Sequence, residues 1–387
     1  MGIETTDSPE QPVVRVRGAH VLAPDDLGKR DVVLADGRIL AILDPEAPFD
    51  LPSRELTEID GAGRTLTPAL VDIHCHPVGG GGWGGPETHC EPIDPADFVR
   101  AGIGTMVGCL GYDTTARRPE GLLGRVRTLR ALGFGAHMYT GEIAWPPATI
   151  TGELSRDVAL IPEVRGVKGA IADHDGGITS VGRLVHTVSE AKRGARTAGK
   201  PPVVHLHVGQ AGQRFEVIQD ALAQDLIDPA VLTLTHVNWS RELAEAAVEM
   251  GRIGVNLDLT ACIRPDYFPG TITAAEAIAI LLDGGVAAER ITVTSDSGGS
   301  HREAESGRIV GHRPGLMLEV MKETIASGTL EPAAAVALFT RNPAARIGLS
   351  QVGRIATGVK ADLVLFGEDF GDGRMFLGGR RQTEVVG

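Results

Sequence analysis

The sequence contains few cysteines, few basic residues and no long apolar segment. Its four cysteines are irregularly spaced along 387 residues, which is typical of reduced thiols and not of the disulfide framework of a secreted domain. No run of eighteen apolar residues occurs, so we expect no membrane-spanning helix. The 37 Lys and Arg are outnumbered by 50 Asp and Glu, giving a net charge of −13. This charge disfavours nucleic acid and anionic membranes as partners, because both would repel it.

The two ends of the chain differ from its middle in their sequence pattern. Residues 1–12 are polar and acidic and carry no recognisable targeting segment, so we predict a disordered tail there and a cytoplasmic protein. Residues 13–66 consist of short strand-type runs with turn residues, including the hairpin signal Asp36-Gly37. Residues 349–387 again show strand-type runs. We predict that 13–66 and 349–387 together form a small β-sandwich domain.

The middle of the chain, 67–348, alternates apolar strand-type runs with segments of helical period. The eight runs are LVDIHCH, IGTMVGCLG, GAHMYTGE, RGVKGAIAD, PVVHLHVG, VLTLTHV, IGVNLDLTA and RITVTSDS. Eight strand-plus-helix units predict an α/β fold of the (β/α)8 TIM-barrel type. The alternative is an open, doubly wound sheet.

Unusual polar residues lie at the ends of these runs, where barrel enzymes carry their catalytic groups. The first run ends in His74 and His76, and residues two apart in a strand point the same way, so both imidazoles can reach one ion. Lys168 ends the fourth run among apolar residues, where an ammonium is costly unless it is paired or chemically altered. The fifth, sixth and eighth runs end in His207, His236 and Asp296. Each residue alone has an ordinary structural explanation, but the set indicates a metal site.

This pattern resembles the amidohydrolase superfamily, with its HxH on strand one, Lys on strand four, single His on strands five and six, and Asp on strand eight. Within that superfamily the sequence is most similar to isoaspartyl dipeptidases, and the similarity extends over most of the chain. It is carried by HCHPVGGGG (74–82), VGCLGYD (107–113), RRPEGLL, TITGE, GVKGAIADH (166–174), HVN (236–238) and SDSGGS (295–300). The tail motif around Gly353-Arg354-Ile355 also resembles the β domain of the superfamily.

The resemblance implies a binuclear zinc site, although iron or manganese also suits such ligands. The expected ligands are His74 and His76 for one ion, His207 and His236 for the other, a carbamate on Lys168 as a bridge, and Asp296 on the first ion. A bridging hydroxide would attack the substrate, and Asp296 would pass its proton to the leaving amine. His205 points to the same face as His207 and is its main competitor, but the spacing to Gly209 favours His207.

The substrate-binding residues of isoaspartyl dipeptidases do not carry over. Where that family has a Glu for the substrate ammonium, this chain has Trp83, and two family arginines are replaced by Asp175 and Trp239. A doubly anionic dipeptide therefore loses its expected charge partners.

Other positions suggest a different substrate. The carbonyl-polarising Tyr of the family falls on Ile143, and we expect Tyr112 to take over that role, while Ser300 matches a substrate-contacting Ser. Trp83, Trp145 and Trp239 all follow barrel strands, so we predict an aromatic-lined pocket on the catalytic side.

We therefore predict a metal-dependent hydrolase that opens a C–N amide-type bond (an amide, lactam or cyclic imide) in a small molecule bearing an aromatic or apolar group. The resemblance also implies a homo-oligomer. One alternative is a true isoaspartyl dipeptidase, with its substrate-binding residues rebuilt from loops that include His301 and Arg302. A deaminase of the same superfamily is disfavoured by Lys168. A barrel that has lost catalysis and serves in assembly is a further alternative, which the complete ligand set disfavours.

Overall fold

The computed structural model describes residues 12–49, 55–174, 176–303 and 306–386. All but the last residue of the predicted tail 1–12 lies outside the described residues. Within them, no helix is both long and apolar enough to span a bilayer.

Strands and helices alternate through the middle of the chain, whereas the two ends consist mainly of strands. The strands are β1 (Val13–Leu22), β2 (Asp26–Ala35), β3 (Arg38–Leu43), β4 (Leu56–Asp60), β5 (Thr65–Pro68), β6 (Leu70–Cys75), β7 (Ile103–Gly108), β8 (Gly135–Gly141), β9 (Val164–Ile171), β10 (Val204–Val208), β11 (Leu232–Thr235), β12 (Asn256–Thr260), β13 (Ile291–Thr294), β14 (Ser300–Arg302), β15 (Ile309–Gly311), β16 (Leu363–Phe366), β17 (Gly373–Leu377) and β18 (Arg380–Val386). The α-helices are α1 (Pro95–Arg100), α2 (Pro119–Ala131), α3 (Leu154–Leu160), α4 (Val181–Ala198), α5 (Glu216–Ala223), α6 (Arg241–Arg252), α7 (Ala274–Asp283), α8 (Leu316–Ala326), α9 (Pro332–Ala337) and α10 (Arg341–Arg346).

Strands from both chain ends form one hydrogen-bonded sheet in the order β18-β17-β16-β5-β1-β2-β3, with β4 beside β1. The predicted hairpin is present between β2 and β3, because Asp36 and Gly37 adopt φ of 51° and 77°, the left-handed values that a tight hairpin turn requires. Buried residues from β1, β2, β3, β5, β16 and β17 share one apolar core, so the sheet packs on itself. The expected boundary at residue 67 falls inside β5, which pairs with β16.

The middle of the chain forms the predicted barrel, so the alternative of an open sheet is wrong. β6 to β13 are parallel neighbours in chain order, and helices α1 to α7 connect them. Two backbone bonds link the carboxyl end of β6 to the segment that follows β13. Asp296 N donates to His74 O at 3.0 Å, and His76 N donates to Ser297 O at 2.7 Å. Side-chain caps stabilise the starts of α1, α4, α6 and α7, with Thr273 and Glu276 forming a capping box on α7. The barrel thus brings eight strand ends to one face.

Candidate metal centre

A cavity of about 240 Å³ opens where the carboxyl ends of the barrel strands meet. All six residues expected to hold metal line it: His74, His76, Lys168, His207, His236 and Asp296. The structure therefore brings together side chains that lie up to 222 positions apart in the sequence.

The two histidines of the first strand converge on Asp296. Nε2 of His76 lies 2.9 Å from Oδ1 of Asp296, and Nε2 of His74 lies 3.4 Å from the same oxygen. Behind the ring, Nδ1 of His76 lies 3.1 Å from the carbonyl oxygen of Cys109. A carbonyl oxygen only accepts, so Nδ1 of His76 donates there and its Nε2 is directed into the cavity.

Close backbone packing holds this corner together. After Asp296 the chain crosses over His76, and Gly298 there has φ of 80°. A Cβ at Gly298 would lie 2.4 Å from the carbonyl oxygen of His76, so a larger residue would displace the first strand.

Lys168 is a buried amine at the floor of the cavity. It is 2% exposed, and its Nζ lies 3.3 Å from Nε2 of His74. Among the described residues it forms no ion pair with a carboxylate, and burial lowers the pKa of its ammonium. A lowered pKa increases the share of neutral amine, the form that reacts with carbon dioxide. The site thus fits the carbamate implied by the sequence.

The remaining two histidines face each other on the next strands. The rings of His207 and His236 are 4.7 Å apart at their centroids. Nδ1 of His236 lies 2.7 Å from the hydroxyl of Thr260, and Nε2 of His207 lies 3.0 Å from a carboxylate oxygen of Asp173. His236 and Asp296 have φ of 71° and 51°. Left-handed backbone at non-glycine residues costs energy and is concentrated at functional sites.

The electrostatics at His74, His236 and Asp296 favour cation binding. Burial lowers the pKa of His74 and His236 well below the usual value, so both rings are neutral and keep a lone pair. Burial alone would raise the pKa of Asp296, but the hydrogen bond and charge of His76 outweigh it and hold that pKa below its usual range. Neutral imidazoles beside a carboxylate are a donor set that suits divalent zinc, manganese or iron. The residues present therefore fit the two expected metal ions.

The structure distinguishes His207 from His205, its competitor as a metal ligand. His205 is fully buried and does not line the cavity, whereas His207 does. The ring of His205 stacks on Tyr139, at 5.0 Å between centroids and 19° between planes. Its Nε2 lies 3.2 Å from Nδ1 of His74, on the side of that ring away from the cavity.

Most of the expected substrate-binding residues also reach the cavity, whose lining includes Trp83, Tyr112, Trp239 and Ser300. Trp83 and Tyr112 are 41% and 43% exposed, which puts them at its mouth. Nε1 of Trp83 donates to the Ser300 hydroxyl at 3.1 Å.

Of the other two expected residues, one lies away from the cavity and one is not described. Trp145 does not line the cavity. The loop after β8 turns Ile143 into the cavity and packs Trp145 on α4. There its ring contacts His186 edge-on, and the Arg183 guanidinium lies 5.5 Å from its centroid. Asp175 lies outside the described residues.

The cavity also contains residues that the sequence did not single out. Phe268 packs edge-on against Trp239 at 5.2 Å, which extends the aromatic wall. Sγ of Cys262 lies 3.6 Å from Oδ2 of Asp296. The buried His312 also lines the cavity, and its Nε2 lies 3.0 Å from Nδ1 of His301. Cys262 directly follows the seventh strand-type run, which ends at Ala261, and that position beside a strand end is the signal that could have found it. Phe268 and His312 lie in long loops where no local pattern marks them.

Comparison with known proteins finds relatives that match most of this chain. Residues 65–380 match the model of the amidohydrolase family. The structure is similar to that of a beta-aspartyl dipeptidase from Fervidobacterium islandicum AW-1 in complex with beta-Asp-Leu dipeptide, with a TM-score of 0.86 and 29% identity, over 97% of this chain and 99% of that one.

Two curated sequences are also similar to this chain. An adenine deaminase from Deinococcus radiodurans is 26% identical over 94% of this chain and 61% of its own length. A dihydroorotase from Desulforapulum autotrophicum is 34% identical over 16% of this chain and 15% of its own. This chain thus spans less than two thirds of the length of either curated relative.

The family match covers most of the chain and includes every strand that carries an expected ligand. With the dipeptidase likeness, it supports the predicted enzyme class, a metal-dependent hydrolase. The resemblance inferred from the sequence is confirmed, and the chain belongs to the amidohydrolase family.

Proposed function

We propose that the protein is a binuclear metal-dependent hydrolase that opens the C–N bond of an amide, lactam or cyclic imide in a small molecule bearing an aromatic or apolar group. The observation that carries the proposal is that all six side chains expected to hold metal line one cavity with aromatic walls.

In this proposal two metal ions share the cluster. The residues that would hold them are His74, His76 and Asp296 for the first ion, His207 and His236 for the second, and carboxylated Lys168 for both. When bound, such ions make water nucleophilic near neutral pH and polarise a carbonyl group.

Asp296 acts as the proton carrier. Its pKa lies below the usual range, so its carboxylate is ionised and able to accept the proton of the attacking water. The same carboxylate then delivers this proton to the leaving nitrogen. The backbone bond from Asp296 N to His74 O holds the carboxylate at this end of the barrel.

The walls of the cavity favour an uncharged substrate. The described lining contains no arginine and no glutamate, and its aromatic members are Trp83, Tyr112, Trp239 and Phe268, besides the histidines. A β-aspartyl dipeptide carries two carboxylates and an ammonium at neutral pH, which need charged partners when they are taken out of water. A flat or apolar group instead gains favourable contact with the tryptophan faces. Tyr112 is proposed to hydrogen-bond the substrate carbonyl from the mouth of the cavity.

A second candidate function is isoaspartyl dipeptidase activity. It is supported by the likeness to the Fervidobacterium dipeptidase over nearly the whole chain. It is also supported by Arg302, whose guanidinium lies 5.8 Å from the centroid of the exposed Trp83 ring and offers a cation at the mouth of the cavity.

A side-by-side assay of the zinc-loaded protein separates the two functions. We expect aromatic amides, lactams or cyclic imides to be hydrolysed with a higher kcat/KM than β-Asp-Leu. If β-Asp-Leu exceeds about 10⁴ M⁻¹s⁻¹, within the range of ordinary enzyme substrates, the dipeptidase function replaces our proposal. An Arg302→Gln variant serves as the control, since only dipeptide hydrolysis should depend on that cation.

A protein without catalysis, as in an assembly role, would hydrolyse none of these compounds. The homo-oligomer implied by the sequence resemblance and the cytoplasmic location stay predictions.

A further inference from the structure

His205 lies directly beneath the proposed metal centre and has no part in the function described so far. It is fully buried on β10, level with Lys168 on the neighbouring strand β9. Its place against His74 suggests a role toward the metals.

The two ring nitrogens of His74 face different surroundings. Its Nε2 faces the cavity, 3.3 Å from Lys168 Nζ and 3.4 Å from Asp296 Oδ1. Its Nδ1 faces the barrel interior, 3.2 Å from Nε2 of His205 and 3.4 Å from the hydroxyl of Thr235. A neutral imidazole carries one proton, so Nε2 of His74 has a free lone pair only when Nδ1 carries the proton. That proton needs an acceptor inside the barrel.

We propose that His205 is a positioning residue whose Nε2 accepts the Nδ1 proton of His74 and thereby fixes the tautomer in which Nε2 of His74 binds metal. The inference rests on the metal centre proposed above. It concerns the orientation of one ligand and not the identity of the substrate.

The other histidines of the cluster support this role. Nδ1 of His76 is held by the carbonyl oxygen of Cys109, and Nδ1 of His236 lies 2.7 Å from the hydroxyl of Thr260. In both cases the nitrogen turned away from the cavity has a hydrogen-bond acceptor behind it. His205 supplies the equivalent acceptor for His74.

Thr235 is the competing acceptor, and the geometry favours His205. The Thr235 hydroxyl donates to Asp258 at 2.7 Å and is the more distant neighbour of His74. The His205 ring is held in place by complete burial and by its stacking on Tyr139. When Nε2 of His205 accepts, its Nδ1 carries a proton for which the described residues provide no hydrogen-bond partner. An unpaired buried donor is unfavourable, and such groups in native proteins call for a functional reason.

A matched pair of substitutions tests the inference. In His205→Gln the side-chain amide reaches the position of Nε2, whereas in His205→Asn it reaches only that of Nδ1. Each protein is treated with chelator and titrated with Zn²⁺ against a competing dye, and Co²⁺ absorption spectra report the ligand geometry. We expect His205→Asn to bind one of the two ions about 10- to 100-fold more weakly, the usual effect of removing such a partner, and His205→Gln to stay close to wild type.

Thr235→Val is the comparison variant, and circular dichroism of the metal-free proteins checks folding. The inference is overturned if His205→Asn holds both ions as tightly as His205→Gln, or if Thr235→Val weakens binding more than His205→Asn does. If His205→Asn does not fold, Thr235→Val decides alone: affinity close to wild type supports His205, and a tenfold loss assigns the acceptor to Thr235. A wild-type protein that binds no metal would overturn the metal centre itself, an outcome distinct from the others.

Discussion

Nε2 of His76 is hydrogen-bonded to Oδ1 of Asp296 at 2.9 Å, which joins the end of the first barrel strand to the end of the eighth. The backbone bond from Asp296 N to His74 O closes the barrel at the same place. Barrel closure and the candidate catalytic carboxylate therefore depend on one corner of the structure. Substitutions at Asp296 must keep the size of the side chain if their effect is to be read as chemistry.

Asp296→Asn meets this requirement. The amide keeps the shape of the side chain but cannot take up the proton of the attacking water. We expect kcat to fall about 10²- to 10⁴-fold, the usual contribution of an acid–base group, while the fold and much of the bound metal remain. Steady-state kinetics and elemental analysis of the same preparation measure both. A variant that keeps more than about a tenth of the wild-type rate would assign proton transfer to another group.

Lys168→Ala removes the proposed bridge between the metals. The wild-type protein should contain about two metal ions per chain, as two-metal hydrolases do, and the variant should lose one ion and nearly all activity. Added formate or acetate should restore part of the activity, because a small carboxylate supplies the missing oxygens in the space left by the side chain. Lys200→Ala is the control, since Lys200 is bonded only to backbone carbonyls of α3 and its neighbours among the described residues. Unchanged metal content in Lys168→Ala would contradict the bridge.

The barrel and its candidate metal-binding residues were predictable because each rests on a local signal. Apolar runs of strand length locate β6 to β13, and a polar residue at the carboxyl end of such a run must face the catalytic side. Lys168 was recognisable for a physical reason, since an amine in an apolar strand needs a chemical explanation.

The contents of the loops were not predictable in the same way. Trp145 and Ile143 are two residues apart, yet Ile143 enters the cavity and Trp145 packs on α4. The direction of a side chain in this loop depends on tertiary packing, which the spacing of residues in the sequence does not reveal. His312 approaches the cavity because β14 and β15 pair as a hairpin, with His301 opposite Val310, and nothing in the sequence indicates that pairing.

His137 predicts a dependence of stability on pH. Burial, helped by the charges of Arg165, Arg130 and Lys200, lowers the pKa of His137 to about 3. Between that value and the ordinary 6.5 the unfolded chain binds a proton that the folded protein does not, so folding stability is complete above pH 6.5 and falls as the pH is lowered. His137→Gln should lose about 2 kcal/mol less stability than wild type between pH 7.5 and pH 5. Urea unfolding at both pH values measures this difference, and equal losses in the two proteins would contradict it.

Trp239 and Trp145 offer a direct test of the proposed substrate class, because one lines the cavity and the other does not. Trp239 packs against Phe268 and lies near His236, at 5.2 Å and 6.2 Å between ring centroids, so its face borders the reacting atoms. Trp239→Ala should raise KM for an aromatic amide about two- to tenfold through lost aromatic contact, with a smaller change for an aliphatic amide. Trp145→Ala should leave both KM values unchanged, and metal analysis should confirm that each variant keeps its ions. If Trp145→Ala instead weakens binding of the aromatic amide while Trp239→Ala does not, the substrate lies along α4 and not in the cavity described here.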